Sequence, residues 1–357
     1  MKLVVLGLSL SSSWGNGHAT TYRALLKAFA ARGHAVTFLE RDVPWYRGEH
    51  RDLAEPDFCS LRFYEDLGGL EAHRAEVAGA DAVIVGSYVP EGVEVGRWAL
   101  AAARGPVAFY DIDTPVTLAK LARGDFEYLT PELIGRYAAY LSFTGGPTLE
   151  RLEREFRSPA ARPLYCSVDE TRYCPLHGEA RWDLSYLGTY SPDRQPTLER
   201  LLLEPARRAP HLRFAVAGPQ YPDDIAWPAN VERIAHVPPA EHAAFYAASR
   251  WSLNVTRADM IGAGWSPSVR LFEAGACASP VISDMWDGLA DLFAPDREIV
   301  LAEGGDAVLA ALAKREAERR VIADAFRARV LAEHTAAHRA EELERWLDEA
   351  RGSRAAA

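Results

Sequence analysis

The chain has 357 residues, enough for two domains of ordinary size, and its 48% hydrophobic and 25% charged residues supply full cores and exclude wholesale disorder. A net charge of −10 argues against nucleic acid or an anionic membrane as the main partner, while leaving room for a local phosphate pocket. The four cysteines are widely spaced, with no CxxC pair and no Cys/His cluster at zinc spacing, so they read as reduced thiols and no metal ligands are expected.

The first apolar run, residues 3–8, is short, follows Lys2 and leads into a Ser/Gly loop. It reads as a buried strand, not a signal peptide. No run approaches the ~18 residues needed to cross a bilayer, so no transmembrane segment and a cytoplasmic protein are expected. Further strands are expected at 35–39, 82–85, 107–110 and 138–143, with helices near 19–31, 93–103 and 147–156. Residues 159–175 carry three prolines and no clear period, and mark a boundary. Alternation then restarts, with strands at 184–187, 212–216, 231–235, 251–255, 280–282 and 298–301. Helices fall near 196–206, 239–247, 267–276 and 306–313. The tail, 314–350, is helical with a break at His334-Thr335.

Strands alternating with helices imply parallel sheets covered on both faces. The expected fold is therefore α/β, with two doubly wound Rossmann-like domains facing across a cleft. The first spans 1–164 and the second 165–334. A final helix, about 335–351, carries an apolar stripe of Leu343, Trp346, Leu347 and Ala350 and is expected to pack back on the first domain. Ligands of such sheets bind at the carboxyl ends of the strands, so the loops after strands should hold the chemistry.

The loop after the first strand, 9–18, contains Gly15, Asn16, Gly17 and His18. Gly15 and Gly17 permit close backbone approach to a ligand. The spacing is not GxGxxG, and only Glu40 follows the second strand, so a nicotinamide cofactor is disfavoured. His18 is a candidate catalytic residue at a helix start. After strand 107–110, Asp111-Ile-Asp113-Thr-Pro115 places two carboxylates before a helix; Asp113 is the preferred base, and one of the pair is expected to cap the helix. Trp14, Trp45, Tyr46 and Tyr88 can stack on a sugar or serve as core. In the second half, Gly188 and Thr189 follow the domain's first strand and Arg194 opens the next helix. His236 ends another strand, where it can meet a nucleobase edge, and Arg257 ends the next.

The segment 265–284 is the most informative. Ser266 reads as an N-cap with Pro267 at the first helical position, and the first-turn N–H groups with the hydroxyls of Ser266 and Ser268 form an anion site. Arg270 and Glu273 lie three apart on one helix face. A cation and a helix start can hold a diphosphate, while a carboxylate one turn on can bind a ribose. The alternative is a capped helix with a surface Arg–Glu pair.

These residues resemble a known family. Tyr186-Leu-Gly-Thr-Tyr-Ser191, Leu253-Asn-Val-Thr-Arg257, the run Ser266 to Cys277 and Pro280-Val-Ile-Ser-Asp284 are similar to the glycosyl transferases group 1 of the GT-B class, and within them to the CgeB-like proteins. The resemblance covers most of 182–301. It implies a nucleotide-sugar donor held by the second domain, an acceptor held by the first, and no metal or other cofactor. Glu273 corresponds to the ribose-binding residue, and Ser266 and Ser268 to part of the diphosphate site. Ala278 stands where the family often has Gly, and Gly264-Trp265-Ser266 stands where it often has a further acidic residue. The expected activity is metal-independent glycosyl transfer from a nucleoside diphosphate sugar, a UDP-sugar foremost, to a small-molecule, glycan or protein acceptor, with retention favoured on family grounds. A nucleotide-sugar epimerase or hydrolase, and a non-catalytic sugar-binding protein, are the alternatives.

Overall fold

The computed structural model describes residues 1–14 and 17–356, and the chain divides into two compact units. One is Met1–Cys166 with Ala336–Ala357; the other is Ser167–Thr335.

The first unit is built on a seven-stranded sheet of β1 (Lys2–Gly7), β2 (Ala35–Arg41), β3 (Ser60–Tyr64), β4 (Ala82–Gly86), β5 (Val107–Asp111), β6 (Ala139–Ser142) and β7 (Ala161–Pro163), in the order β3-β2-β1-β4-β5-β6-β7. Every pairing is parallel. Strands buried on both faces need near-continuous apolar sequence, and β4, with all five residues buried, shows it. Helices Gly17–Ala31, Gly92–Ala102, Thr114–Ala122 and Pro147–Glu155 follow strands, as right-handed crossovers require. Helix Ala336–Ala356 packs on Gly17–Ala31, burying Leu343 and Leu347, while Glu344 pairs with Arg32 at 2.5 Å.

The second unit has a six-stranded parallel sheet of β8 (Trp182–Leu187), β9 (Phe214–Ala217), β10 (Val231–Ile234), β11 (Ser249–Asn254), β12 (Val281–Ser283) and β13 (Val300–Leu301), in the order β10-β9-β8-β11-β12-β13. Both sheets therefore reverse direction of travel once, between β1 and β4 in one unit and between β8 and β11 in the other. At such a switch point the flanking loops part and leave a crevice at the carboxyl edge. Helix Val269–Ala276 follows β11 and lies under helix Glu316–Glu333. Gly275 permits that approach: a Cβ there would sit 2.6 Å from Val330 and 3.1 Å from Phe326.

One expected boundary shifts at the segment that matters for the site. The 267–276 helix begins later, with Ser268 in the N-cap position and Val269 first in the helix. The chain is still turning at Gly264 and Trp265, both at positive φ (64° and 42°), and Ser266 is buried ahead of the helix. β3 and β7, absent from the sequence reading, lie at the two sheet edges.

Candidate functional site

At the switch point of the second unit, one side chain ties the two flanking strands together. Arg270 is only 8% exposed. Its Nε donates to the carbonyl of Leu187, the last residue of β8, at 2.6 Å. Its Nη1 donates to Asn254 Oδ1, at the end of β11, at 2.9 Å and reaches the Ser268 hydroxyl at 3.3 Å. The guanidinium lies 4.7 Å from the Tyr186 ring centroid. Its Nη2 makes no hydrogen bond to the described residues and faces the Gly188 backbone: a Cβ at Gly188 would stand 2.9 Å from it and 2.6 Å from the Tyr186 hydroxyl. That hydroxyl is buried and has no partner among the described residues. Cation, glycine and orphan hydroxyl thus frame a small polar slot at the end of β8, with the first turn of the Val269–Ala276 helix attached.

Asn254 is held in turn. Its amide nitrogen donates to Ser283 at 2.9 Å and Thr256 at 3.1 Å, so its oxygen is aimed at Arg270 and at the Ser268 hydroxyl, 3.1 Å away. Asp284 accepts the Thr256 N–H and hydroxyl at 2.8 and 2.7 Å; burial raises its pKa despite those bonds. Arg194 donates Nη2 to the Thr189 carbonyl at 2.9 Å, which places it beside the slot. Arg257 faces Asp193, 4.0 Å away, and Asp193 also receives the Ala258 N–H.

Glu273, one turn on from Arg270, turns elsewhere. It is 5% exposed and does not pair with Arg270, so the surface ion pair is excluded. Tyr246 donates to its Oε2 at 2.9 Å, and His242 Nδ1 lies 3.7 Å from the same oxygen. Burial pushes the carboxyl pKa up, but the hydrogen bonds and charge of His242 and the bonds from Tyr173 and Tyr246 outweigh it and hold Glu273 ionised below its ordinary value. His236 is exposed in the loop that follows β10. His242 and Tyr246 were missed in the sequence, where nothing but helical spacing marks them.

In the first unit, Gly15 lies outside the described residues, and Gly17 opens its helix in free space. Glu40 does not face a ligand: it accepts the N–H groups of Leu10 and Ser11 at 2.6 and 2.9 Å and the hydroxyls of Ser9 and Ser11 at 3.1 and 2.6 Å. A carboxylate so saturated cannot also bind a ribose, which removes the remaining basis for a dinucleotide site. His18 and Asp113 meet on one tyrosine. Tyr88, at φ 61° after β4, donates to Asp113 Oδ2 at 3.3 Å, and its ring stands edge-on to His18 with centroids 5.3 Å apart. A non-glycine residue at positive φ is a mark of a constrained site. Burial lowers the His18 pKa to about 4, so its ring is neutral at pH 7.

Asp113 is the N-cap residue of Thr114–Ala122 but its side chain makes no capping bond. Asp111 is the structural one of the pair. Fully buried, it accepts the hydroxyls of Tyr140 and Thr117 and the Asp113 N–H, and burial raises its pKa to about 6.

No group of three or more His, Cys, Asp or Glu among the described residues is arranged to hold a metal ion, and no described helix is long and apolar enough to cross a membrane.

Residues 194–345 match the model of the glycosyl transferase-like family. The fold is shared along almost the whole chain with glycosyltransferases of known structure. Sucrose-phosphate synthase from Thermosynechococcus elongatus superposes with a TM-score of 0.72 at 14% identity, covering 98% of this chain and 99% of that one. HepE of Anabaena, solved with UDP-glucose, gives 0.68 at 13% identity, covering 98% and 100%. An alpha-glucosyltransferase solved with UDP gives 0.70 at 11% identity, covering 98% and 100%. No curated protein matches in sequence.

Proposed function

We propose that this protein, whose residues 194–345 match the glycosyl transferase-like family and whose fold is that of GT-B enzymes, is a glycosyltransferase that takes its sugar from a nucleoside diphosphate sugar, a UDP-sugar foremost, and moves it to an acceptor hydroxyl of a small molecule or glycan. The observation that carries the reading is Arg270: a buried cation locked to both strands of a switch point, with one N–H edge left toward a glycine. That is a seat for a phosphate. The solved complexes of HepE with UDP-glucose and of the alpha-glucosyltransferase with UDP, on the same fold, support a uridine donor.

In this reading the diphosphate lies between Arg270, Gly188 and the first turn at Ser268, with Ser266 and Thr189 lining the approach and Arg194 and Arg257 adding positive potential. Glu273, kept ionised by Tyr246 and His242, accepts hydrogen bonds from the ribose, and the exposed His236 stands toward the base. As the bond from the sugar's C1 to the diphosphate breaks, charge grows on the leaving oxygen. Arg270 and the helix start stabilise it in place of a metal ion. The acceptor oxygen bonds to C1 and its proton passes to the departing phosphate. Retention fits this route, because His18 is too weak a base to take that proton at neutral pH. His18 would then orient the sugar or the acceptor, and Asp113, which meets the same Tyr88, would act as base if the reaction inverts. The cytoplasm, where such donors are made, is the proposed site of action.

The test is calorimetry with UDP and product analysis with a panel of nucleotide sugars, with and without acceptors. Glu273→Ala should weaken UDP binding at least ten-fold, by about 1.4 kcal/mol or more. Unchanged affinity would remove the site. Turnover of donor alone to free sugar or to an epimer, with no gain on adding acceptor, would favour the hydrolase or epimerase.

A further inference from the structure

Large aromatic side chains are normally covered, yet in the first unit Trp14, after β1, is 55% exposed. Its neighbour in type, Tyr46, is buried, and Trp45 is also 55% exposed but stands edge-on to Tyr46, with centroids 6.1 Å apart and no stacked ring among the described residues. Trp14 differs in being mounted. One face of its ring stacks on His50, with centroids 4.3 Å apart and planes 21° from parallel. Such stacking leaves the opposite face as the exposed one.

The mount is rigid. Ser13, next to Trp14, donates its N–H and hydroxyl to Asp52 at 3.0 and 2.6 Å. Arg23 grips the same carboxylate twice, at 2.6 and 3.0 Å, and donates Nε to the Leu10 carbonyl at 2.8 Å. Burial pushes the Asp52 carboxyl up, but the bonds from Arg23 and Ser13 prevail and hold its pKa at about 2. The Leu53 N–H closes back on the Ser11 carbonyl at 3.0 Å, so the stretch carrying His50 is tied to the stretch carrying Trp14. Below both, Glu40 fixes Ser9, Leu10 and Ser11.

The surroundings select the occupant. Asp42, Glu49 and Asp52 stand in this region with Arg23, Arg47 and Arg51. Mixed charge gives no field for an anionic membrane or a nucleic acid, both of which require clustered cations. A lipid tail would desolvate those charges without pairing them. A sugar ring has an apolar C–H face to lay on an indole and a rim of hydroxyls for the polar groups around it. We propose that Trp14, backed by His50, is the stacking platform for a sugar ring of the acceptor. This rests on the donor reading of the second unit and adds that the acceptor is a saccharide.

Saturation-transfer NMR on the full chain with UDP present, using maltose, cellobiose, lactose and chitobiose in turn, tests it. At least one disaccharide should receive transfer concentrated on the C–H protons of one ring face. Trp14→Ala should weaken that disaccharide about ten-fold, the size of a lost aromatic stack. Trp14→Phe should restore most of it, and Trp45→Ala should leave it unchanged. Calorimetry should show UDP bound equally by all three variants. The platform is refuted if no disaccharide receives transfer, if Trp14→Ala binds as the unaltered protein does, if Trp45→Ala loses as much, or if the protein binds vesicles of phosphatidylcholine and phosphatidylglycerol through Trp14. Failure of the unaltered protein to bind UDP would instead refute the donor reading.

Discussion

Replacing Arg270 by methionine keeps much of the side chain's bulk and removes its charge and its donors. Two effects then separate. The first is on folding: the Leu187 carbonyl, bonded at 2.6 Å, loses its side-chain donor, while Asn254 Oδ1 loses one of two and keeps the Ser268 hydroxyl at 3.1 Å. A buried acceptor left unpaired costs about 1–3 kcal/mol, which is the folding cost expected here. The second is on binding: the Nη2 edge facing Gly188 is lost, and one charge-assisted bond to a phosphate contributes about 1.5–3 kcal/mol. That corresponds to roughly a ten- to hundred-fold loss of UDP affinity. Calorimetry with UDP and with uridine distinguishes them, since uridine has no diphosphate. UDP should weaken by that factor while uridine binds both forms alike, and urea unfolding should report the folding cost separately. Arg270→Lys should recover little, because an ammonium cannot span Leu187, Asn254 and a phosphate at once. Equal UDP affinity in the methionine variant, or a parallel loss for uridine, would refute the phosphate seat.

Gly188→Ala places a methyl 2.6 Å from the Tyr186 hydroxyl and 2.9 Å from Arg270 Nη2, so ring or guanidinium must move. Overpacking of this kind costs about 1–3 kcal/mol, and we expect UDP affinity to fall while uridine binding holds, measured by the same calorimetry. Asp111 has a folded-state pKa of about 6 against an ordinary 3.8. The folded form therefore keeps the proton between those values, and its stability falls as pH rises from about 4 to about 6, by an amount on the order of 3 kcal/mol. Urea unfolding across that range should show the fall in the unaltered protein and a flatter profile in Asp111→Asn. Because His18 titrates near 4, kcat should show no imidazole limb between about pH 5.5 and 8, and a limb there that disappears in His18→Ala would overturn its neutral role.

The frame of both units could be read from the chain because buried parallel strands must be continuously apolar. The run at 107–110 became β5 and that at 82–85 became β4, each within one residue. β3 escaped because an edge strand needs no such run: Ser60–Tyr64 is mostly half-exposed and contains Arg62. The break at His334-Thr335 was visible, and helices Glu316–Glu333 and Ala336–Ala356 flank it. In the site, the residue types were legible and their partners were not. Spacing put Arg270 and Glu273 on one face of a helix, but only packing shows that one reaches Leu187 and Asn254 while the other reaches Tyr246. Glu40 is the one acidic residue after the second strand, and nothing in its position shows that the serine loop consumes it. Tyr88 carried no signal beyond its place after a strand, since a positive φ on a non-glycine residue leaves no mark in sequence.

The first unit is discontinuous in sequence, and this bears on how it is made. Residues up to Cys166 leave the ribosome with the Gly17–Ala31 helix still uncovered, and its cover, Ala336–Ala356, is translated only after the whole of the second unit. The nascent protein must carry that unfinished surface through the synthesis of the whole intervening unit. At about 5–20 residues per second, that interval lasts on the order of ten to thirty seconds, during which a chaperone rather than the fold itself would shield it.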